Sequence, residues 1–374
     1  MKVLVLANFG MGLYNFRREL IDELISQKNE VYISLPKDEF VPKLKSLGCK
    51  FIETKLDRRS TNPIKDVKLL LHYIRIIKQI NPDVVLTYTI KPNVYGGIAC
   101  RITKTPYITN ITGLGTSIEN KGILQKITLM LYKVGLKNAS CLFFQNKTNL
   151  KFFVDHHIAN GRARLVPGSG VNLEHHRFEA YPEEREKYKF LFIGRMMKSK
   201  GIDELLQAAT VVKEIYPNTQ FDLIGGCEED YHKQLSELSQ LGVITYHGQQ
   251  NDVRSFIQKA HATILPSYHE GTANVLLESA SAGRVVLASR IPGCQETFDE
   301  AVSGFGFKVK NVDSLVEAII KFINLPYEQK KVMGTAGRKK MEKEYNRKIV
   351  INAYLDEINR VVESGNHEPI RKSG

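Results

Sequence analysis

Short apolar runs alternate along this chain with longer stretches whose apolar positions recur every three or four residues. In the first half the runs are Val3–Ala7, Glu30–Leu35, Val84–Tyr88, Tyr107–Asn110 and Cys141–Gln145. The rhythm resumes at Lys189–Ile193, Phe221–Ile224, Ile244–His247, Ala262–Leu265 and Val285–Ala288. Short β-prone runs predict buried strands, and the periodic segments between them predict crossover helices. Such βα order implies two open parallel sheets with helices on both faces. The charged, proline-bearing stretch Glu179–Lys187 is the linker candidate, which sets expected domains of 1–180 and 181–344. Ligands of open α/β sheets bind beyond the carboxyl ends of the strands, so the loops after Ala7, Ile193, Ile224 and Leu265 are expected to face one cleft.

Composition agrees with two folded domains. The chain has 374 residues, 43% hydrophobic and 25% charged, more than one core usually serves. Met1-Lys2 leads straight into the first strand, so no signal peptide is expected, and no apolar run reaches the ~20 residues of a membrane span. Five scattered cysteines without Cys-x-x-Cys spacing suggest a reduced, cytoplasmic setting. The pairs His156-His157 and His175-His176 read as surface loop residues, and no Asp-x-Asp occurs to anchor a metal-bridged diphosphate, so no metal is expected.

Charge is distributed unevenly. Residues 1–180 hold 27 Lys and Arg against 14 Asp and Glu, whereas the remainder is balanced at 26 of each. A basic first half predicts a polyanionic partner: nucleic acid, anionic lipid or a diphosphate-bearing acceptor. No helix-turn-helix, zinc spacing or aromatic RNA-binding signature is present, which argues against nucleic acid. Lys121 to Lys137 reads as an amphipathic helix with Ile123, Leu124, Ile127, Met130, Leu131 and Val134 on one face and Lys126, Lys133 and Lys137 on another. It either lies at an anionic lipid surface or packs its stripe on the core. A second helix, Lys65 to Ile80, carries Lys65, Lys68, His72 and Arg75 as a solvated edge on a packed body.

The candidate chemistry is concentrated at two places. Glu270 and Glu278 bracket Gly271-Thr272-Ala273-Asn274 and an apolar run. A helix opening near Asn274 would put Glu270 ahead of its N-terminus and Glu278 on its second turn, with a phosphate seat between them. Upstream, Gly194-Arg195-Met196-Met197-Lys198-Ser199-Lys200-Gly201 joins a strand to a helix, with Arg195 and Lys200 able to grip phosphate oxygens. Either stretch by itself could be a solvated turn or an acidic helix end. Gly10-Met11-Gly12 is not a dinucleotide fingerprint, because Asn15 takes the third glycine position and the second strand ends Leu35-Pro36-Lys37 without an acid placed for a ribose hydroxyl. The loops Thr87–Asn93 and Thr112–Gly115 follow strands and are also cleft candidates.

Together, Gly194-Arg195-x4-Lys200-Gly201 and Glu270-x7-Glu278 resemble the paired signatures of family 4 retaining glycosyltransferases, which have the GT-B fold. Pro167-Gly168-Ser169-Gly170-Val171-Asn172, Leu265-Pro266-Ser267, Gly283, Gly293-Cys294-Gln295-Glu296 and Asn8-Phe9-Gly10-Met11-Gly12 extend the similarity over about residues 1–365. Ser279 and Arg284 stand where the family often has Ala and Pro. The resemblance implies an α/β GT-B fold: two Rossmann-like, doubly wound parallel-sheet domains facing a cleft. The last helix, here 345–363, would cross back to the first domain ahead of a disordered tail, 364–374. It implies transfer from a UDP-sugar without metal or cofactor. Glu270, Arg195 and Lys200 would act in catalysis, and Glu278, Gly271, Thr272, Ala273, Asn274, Gly194, Gly10 and Gly12 would hold the donor. Lys91, Asn93, Arg17, Arg18, Thr112 and Gly113 are acceptor-side candidates, and Lys126, Lys133 and Lys137 candidates for membrane docking.

The likeness is greatest to bacterial enzymes of capsule, O-antigen and N-glycan assembly, including N-acetylgalactosaminyl transferases acting on diphospho-undecaprenol-linked sugars. It implies a lipid-diphosphate-linked saccharide acceptor at the inner face of the plasma membrane. A UDP-N-acetylglucosamine 2-epimerase-like isomerase and a soluble small-acceptor transferase are the alternatives.

Overall fold

The computed structural model describes residues 1–56, 62–113, 122–159, 161–183 and 187–366. It divides into two units, Met1–Ser169 with Lys348–Gly374, and Gly170–Arg347.

In the first unit, strands β1 (Lys2–Leu6), β2 (Glu30–Leu35), β3 (Lys50–Glu53), β4 (Val84–Tyr88), β5 (Tyr107–Ile111), β6 (Cys141–Phe144) and β7 (Ala163–Leu165) form one sheet in the order β3-β2-β1-β4-β5-β6-β7. All pairings are parallel, and Leu4 lies opposite both Tyr32 and Val85. The helices are α1 (Gly10–Ser26), α2 (Val41–Ser46), α3 (Pro63–Ile80), α4 (Gly97–Thr103), α5 (Ile123–Gly135) and α6 (Lys147–Asp155), with a π-helical turn at Pro92–Gly96. Local chemistry sets the ends of α3. The Asn62 side chain accepts from the Ile64 and Lys65 amides, Pro63 opens the first turn, and left-handed Asn81 closes the last. Its inner face, Leu69, Tyr73, Ile76, Ile77 and Ile80, is buried at helical spacing.

The second unit repeats the plan. Strands β8 (Tyr188–Ile193), β9 (Thr219–Ile224), β10 (Thr245–Tyr246), β11 (Ala262–Leu265), β12 (Val285–Ser289) and β13 (Gly304–Phe307) run parallel in the order β10-β9-β8-β11-β12-β13. Helices α7 (Ile202–Ile215), α8 (His232–Gln240), α9 (Arg254–Lys259), α10 (Asn274–Ser281), α11 (Val312–Ile323) and α12 (Tyr327–Glu344) cover the sheet. In each sheet the strand order reverses at one place, between β1 and β4 and between β8 and β11, where α/β proteins bind ligands.

Helix α13 (Arg347–Asn366) brings the chain back to the first unit. Its Glu357, buried, accepts from Arg162 at 2.8 Å, Arg164 at 3.0 Å and Arg360 at 2.8 Å, and Tyr354 stacks on Phe143. Three arginines hold that carboxyl below its ordinary range against the opposing effect of burial.

Two results differ from the pattern-based reading. Strands β3, β7 and β13 were not expected; all are edge strands of three or four residues, too short to print an apolar run. The units divide at Ser169/Gly170 rather than at 180/181. Val171 exchanges main-chain bonds with Tyr345 and Arg347, and Arg284 is buried with its guanidinium on the carbonyls of Ile257 and Ala180, so the segment ahead of the supposed linker is fastened to the second unit. Burial lowers the Arg284 guanidinium to about 10. Residues 184–186 of that linker and 367–374 of the expected tail lie outside the described residues.

Helix α5 bears on the alternative that its pattern left open. It packs through Thr128, Tyr132 and Leu136, while Ile123 (79% exposed), Ile127, Met130 (70% exposed) and Val134 face outward on the opposite side. Four residues of the apolar stripe are therefore not core, whereas Leu131 packs against it; Lys121 and the Leu124 side chain lie outside the described residues. No helix among the described residues is long and apolar enough to cross a membrane.

Candidate active site

The basic loop begins as an extension of β8. Gly194 donates to the Ile224 carbonyl at 2.9 Å and Met196 to that of Gly226 at 2.8 Å, so the chain stays beside β9 until it turns. A 3₁₀ turn at Lys198–Lys200 leads to Gly201, whose φ of +71° is left-handed. A Cβ there would lie 2.2 Å from the Pro266 carbonyl oxygen, so only glycine lets the loop after β8 press against the loop after β11. Tyr268 then donates its amide to Ser199 across the same contact at 2.9 Å.

The loop after β11 is fixed from its other side by Gly293, at φ +86°. A side chain there would stand 2.6 Å from the carbonyl oxygens of Glu270 and Gly271, and the Ala273 amide donates to Gly293 at 2.8 Å. These two close approaches bring Lys200 Nζ to 2.5 Å from Glu270 Oε1, with side chains 19% and 15% exposed. The pair stands at the switch point of the second sheet. One of the three ammonium donors is committed to Glu270, which leaves capacity for an anion.

Helix α10 opens at Asn274 and carries Glu278 on its second turn, as the spacing predicted. The Asn274 Oδ1 is buried without a hydrogen-bond partner, a cost that a ligand hydroxyl or amide would relieve. Ala273, expected to offer its amide to the donor, has it occupied by Gly293. Thr272 is buried and Gly271 half-buried.

Glu278 is recessed, with 21% of its side chain meeting solvent. Burial raises its carboxyl to about 7, opposed by the Arg347 guanidinium. His176 Nε2 stands 4.0 Å from Glu278 Oε1. Burial, together with neighbouring His175 and the Arg347 and Arg254 guanidiniums, lowers that imidazole to about 3, so it meets Glu278 uncharged. His176 is thus part of this recess and not a surface loop residue.

Arg195 is half exposed and bonds Glu228 Oε2 at 2.9 Å. It shares its loop with Lys200, but no direct bond joins it, or Glu278, to the Lys200–Glu270 pair among the described residues. Glu228, Arg347 and His176 were not read as site residues from the sequence: each lies on a separate segment with no motif of its own. The two departures, Ser279 and Arg284, are both buried away from the charged groups, Ser279 bonding Thr263 at 2.8 Å.

First-unit candidates take other partners than expected. Asp38 holds the Gly10 amide at 2.5 Å, and Gly12 lies under the Phe9 ring. Arg17 is buried between the rings of Tyr88 and Tyr354, 5.2 and 5.6 Å from their centroids; its Nη1 donates to the Phe16 carbonyl at 2.7 Å, and it makes no salt bridge among the described residues. Arg18 stands 3.7 Å from Glu19. Lys91 pairs with Asp66 at 2.8 Å, and Asn93 is buried, donating to Asn110. Thr112 and Gly113 follow β5; Leu114 and Gly115 lie outside the described residues. Lys126, Lys133 and Lys137 are exposed.

Two Rossmann-like parallel sheets, the second with a cation–carboxylate pair and the N-terminus of α10 at its switch point, make this a protein of the GT-B class. Sucrose-phosphate synthase from Thermosynechococcus elongatus superimposes with a TM-score of 0.79 at 19% identity, over 98% of this chain and all of that one. Residues 2–146 match the family model "Glycosyl transferase 4-like" and residues 175–340 the model "Glycosyl transferases group 1". The chain belongs to these glycosyltransferases. It is 28% identical, over 97% of its length and the whole of the relative, to N,N'-diacetylbacillosaminyl-diphospho-undecaprenol alpha-1,3-N-acetylgalactosaminyltransferase of Campylobacter jejuni. Over 70% of its length and 72% of the relative, it is 22% identical to UDP-Gal:alpha-D-GlcNAc-diphosphoundecaprenol alpha-1,3-galactosyltransferase of Escherichia coli.

Proposed function

We propose that this protein is a retaining, metal-independent glycosyltransferase. It moves a sugar, an N-acetylhexosamine, from a UDP-sugar to a polyprenyl-diphosphate-linked saccharide during bacterial surface-glycan assembly. The observation that carries the reading is the Lys200–Glu270 pair at the switch point of the second sheet, beside the helix that bears Glu278. Two relatives named for diphospho-undecaprenol-linked acceptors, one of them for a UDP-sugar donor, support the substrate classes.

Lys200 and Arg195 neutralise the diphosphate, Glu278 accepts hydrogen bonds from the ribose hydroxyls, and Glu270 orients the hydroxyls of the sugar. The bond between the anomeric carbon and the β-phosphate oxygen breaks as the acceptor hydroxyl bonds the same carbon from the same face. The hydroxyl proton passes to the departing phosphate oxygen. Lys200, partly buried and pre-positioned by Glu270, stabilises the charge gathering on that oxygen. No cofactor is required.

The outward apolar stripe of α5, flanked by Lys126, Lys133 and Lys137, supports peripheral docking on an anionic membrane, at its cytoplasmic face.

The test is UDP release from a panel of UDP-sugars with and without a lipid-diphosphate-linked sugar. Acceptor-dependent release is expected, and Lys200→Ala should slow it about 100-fold or more while the variant stays folded. Sugar interconversion without release would instead indicate an isomerase, and a fully active Lys200→Ala variant would refute the site.

A further inference from the structure

A second recess, of about 770 Å³, lies in the first unit, over the carboxyl ends of β2 and β3 and beside the first turns of α3. Its wall carries five lysines against two carboxylates, Glu53 and Asp66. Asp66 is already satisfied, by Lys91 at 2.8 Å and by the Tyr95 hydroxyl at 2.8 Å. Lys37, Lys55 and Lys68 are exposed and have no carboxylate partner among the described residues. They come from three segments separate in sequence, the turns after β2 and β3 and the first turns of α3, and topology alone gathers them.

The floor is of a different kind. Pro36, Leu56 and Leu69 give it an apolar side, and the Thr54 hydroxyl is engaged with His72 at 3.0 Å. Burial and the Arg75 guanidinium hold the His72 imidazole below its ordinary value. The charge of the site is therefore lysine charge, set against hydrocarbon. Lysine ammoniums are compact point charges suited to phosphate oxygens. Three cations without a carboxylate partner among the described residues, around an apolar patch, match an anion that continues directly into hydrocarbon better than they match a sugar or a peptide. They also give a location to the basic excess of the first half of the chain.

We propose that this recess binds the diphosphate of an isoprenoid-linked acceptor, with Lys37, Lys55 and Lys68 on its oxygens and Leu56 and Leu69 against the first isoprene units. The proposal rests on the transferase reading for the identity of the acceptor. It adds the residues that hold the acceptor's charged joint.

The experiment is calorimetric titration of the full chain with farnesyl diphosphate, inorganic pyrophosphate and UDP. Wild type and a Lys37→Ala/Lys68→Ala variant are compared, with thermal melting to confirm that the variant is folded. Both lysines are exposed, so no loss of fold is expected. Farnesyl diphosphate should bind wild type more tightly than pyrophosphate does and weaken at least tenfold in the variant, with UDP affinity unchanged. Failure of wild type to bind farnesyl diphosphate, or an undiminished affinity in the variant, would overturn the assignment. Equal affinity for pyrophosphate would remove the isoprenoid from it, and a parallel loss of UDP affinity would make the recess a nucleotide site. Failure of UDP to bind wild type, with farnesyl diphosphate binding intact and lysine-dependent, would count against the donor site alone.

Discussion

The raised carboxyl of Glu278 makes the proposed donor site pH-dependent in a calculable way. Its ordinary value of 4.5 rises to about 7, because ionising it in the recess forfeits hydration that the Arg347 guanidinium only partly replaces and neutral His176 does not. About one site in ten is then ionised at pH 6 and about nine in ten at pH 8. If the carboxylate accepts the ribose hydroxyls, affinity should climb about tenfold across that interval and level off above it. Uridine is the ligand to use, since it lacks the phosphate that itself titrates near pH 6. NMR-detected titration of wild type and Glu278→Gln at pH 6, 7 and 8 measures the slope.

The same group sets a stability trend. Its folded value lies above the unfolded one, so ionisation favours unfolding. The penalty is absent below about pH 4.5, grows as pH rises to 7, and amounts to about 3 kcal/mol beyond. Glu278→Gln never ionises, so it should melt with wild type at pH 4 and roughly 6–12 °C higher at pH 8. A wild type whose uridine affinity is flat with pH, or a Gln variant that keeps the slope, would refute the reasoning.

Two further predictions concern packing and surface. Gly201→Ala must place a Cβ 2.2 Å from the Pro266 carbonyl at a left-handed φ, so the variant should lose about 2 kcal/mol or more of stability, read from chemical denaturation, together with donor binding. Replacing Ile127 and Met130 by Glu on the outer face of α5 should reduce sedimentation with phosphatidylglycerol vesicles about tenfold or more, leaving UDP affinity intact; unchanged sedimentation would dismiss that face as the docking surface.

The sequence alone determined the alternation of strands and helices, the doubling of the parallel-sheet plan, and the order of the charged residues in the Gly194–Gly201 and Glu270–Glu278 segments. These features are local: runs such as Phe190–Ile193 carry their periodicity wherever they fold, and the eight-residue spacing of Glu270 and Glu278 fixes a loop and a second helical turn once α10 starts at Asn274. Tertiary structure decided the rest. It paired Lys200 with Glu270, seventy positions apart, because Gly201 and Gly293 admit close backbone contacts that only folding reveals. It set neutral His176 and cationic Arg347 beside Glu278, turned Ile123, Ile127, Met130 and Val134 of α5 to solvent, and collected over β2 and β3 three lysines without a carboxylate partner among the described residues. Partnership and burial belong to pairs of segments, and one segment's pattern is the same whether its neighbour is water, a ring or an opposite charge.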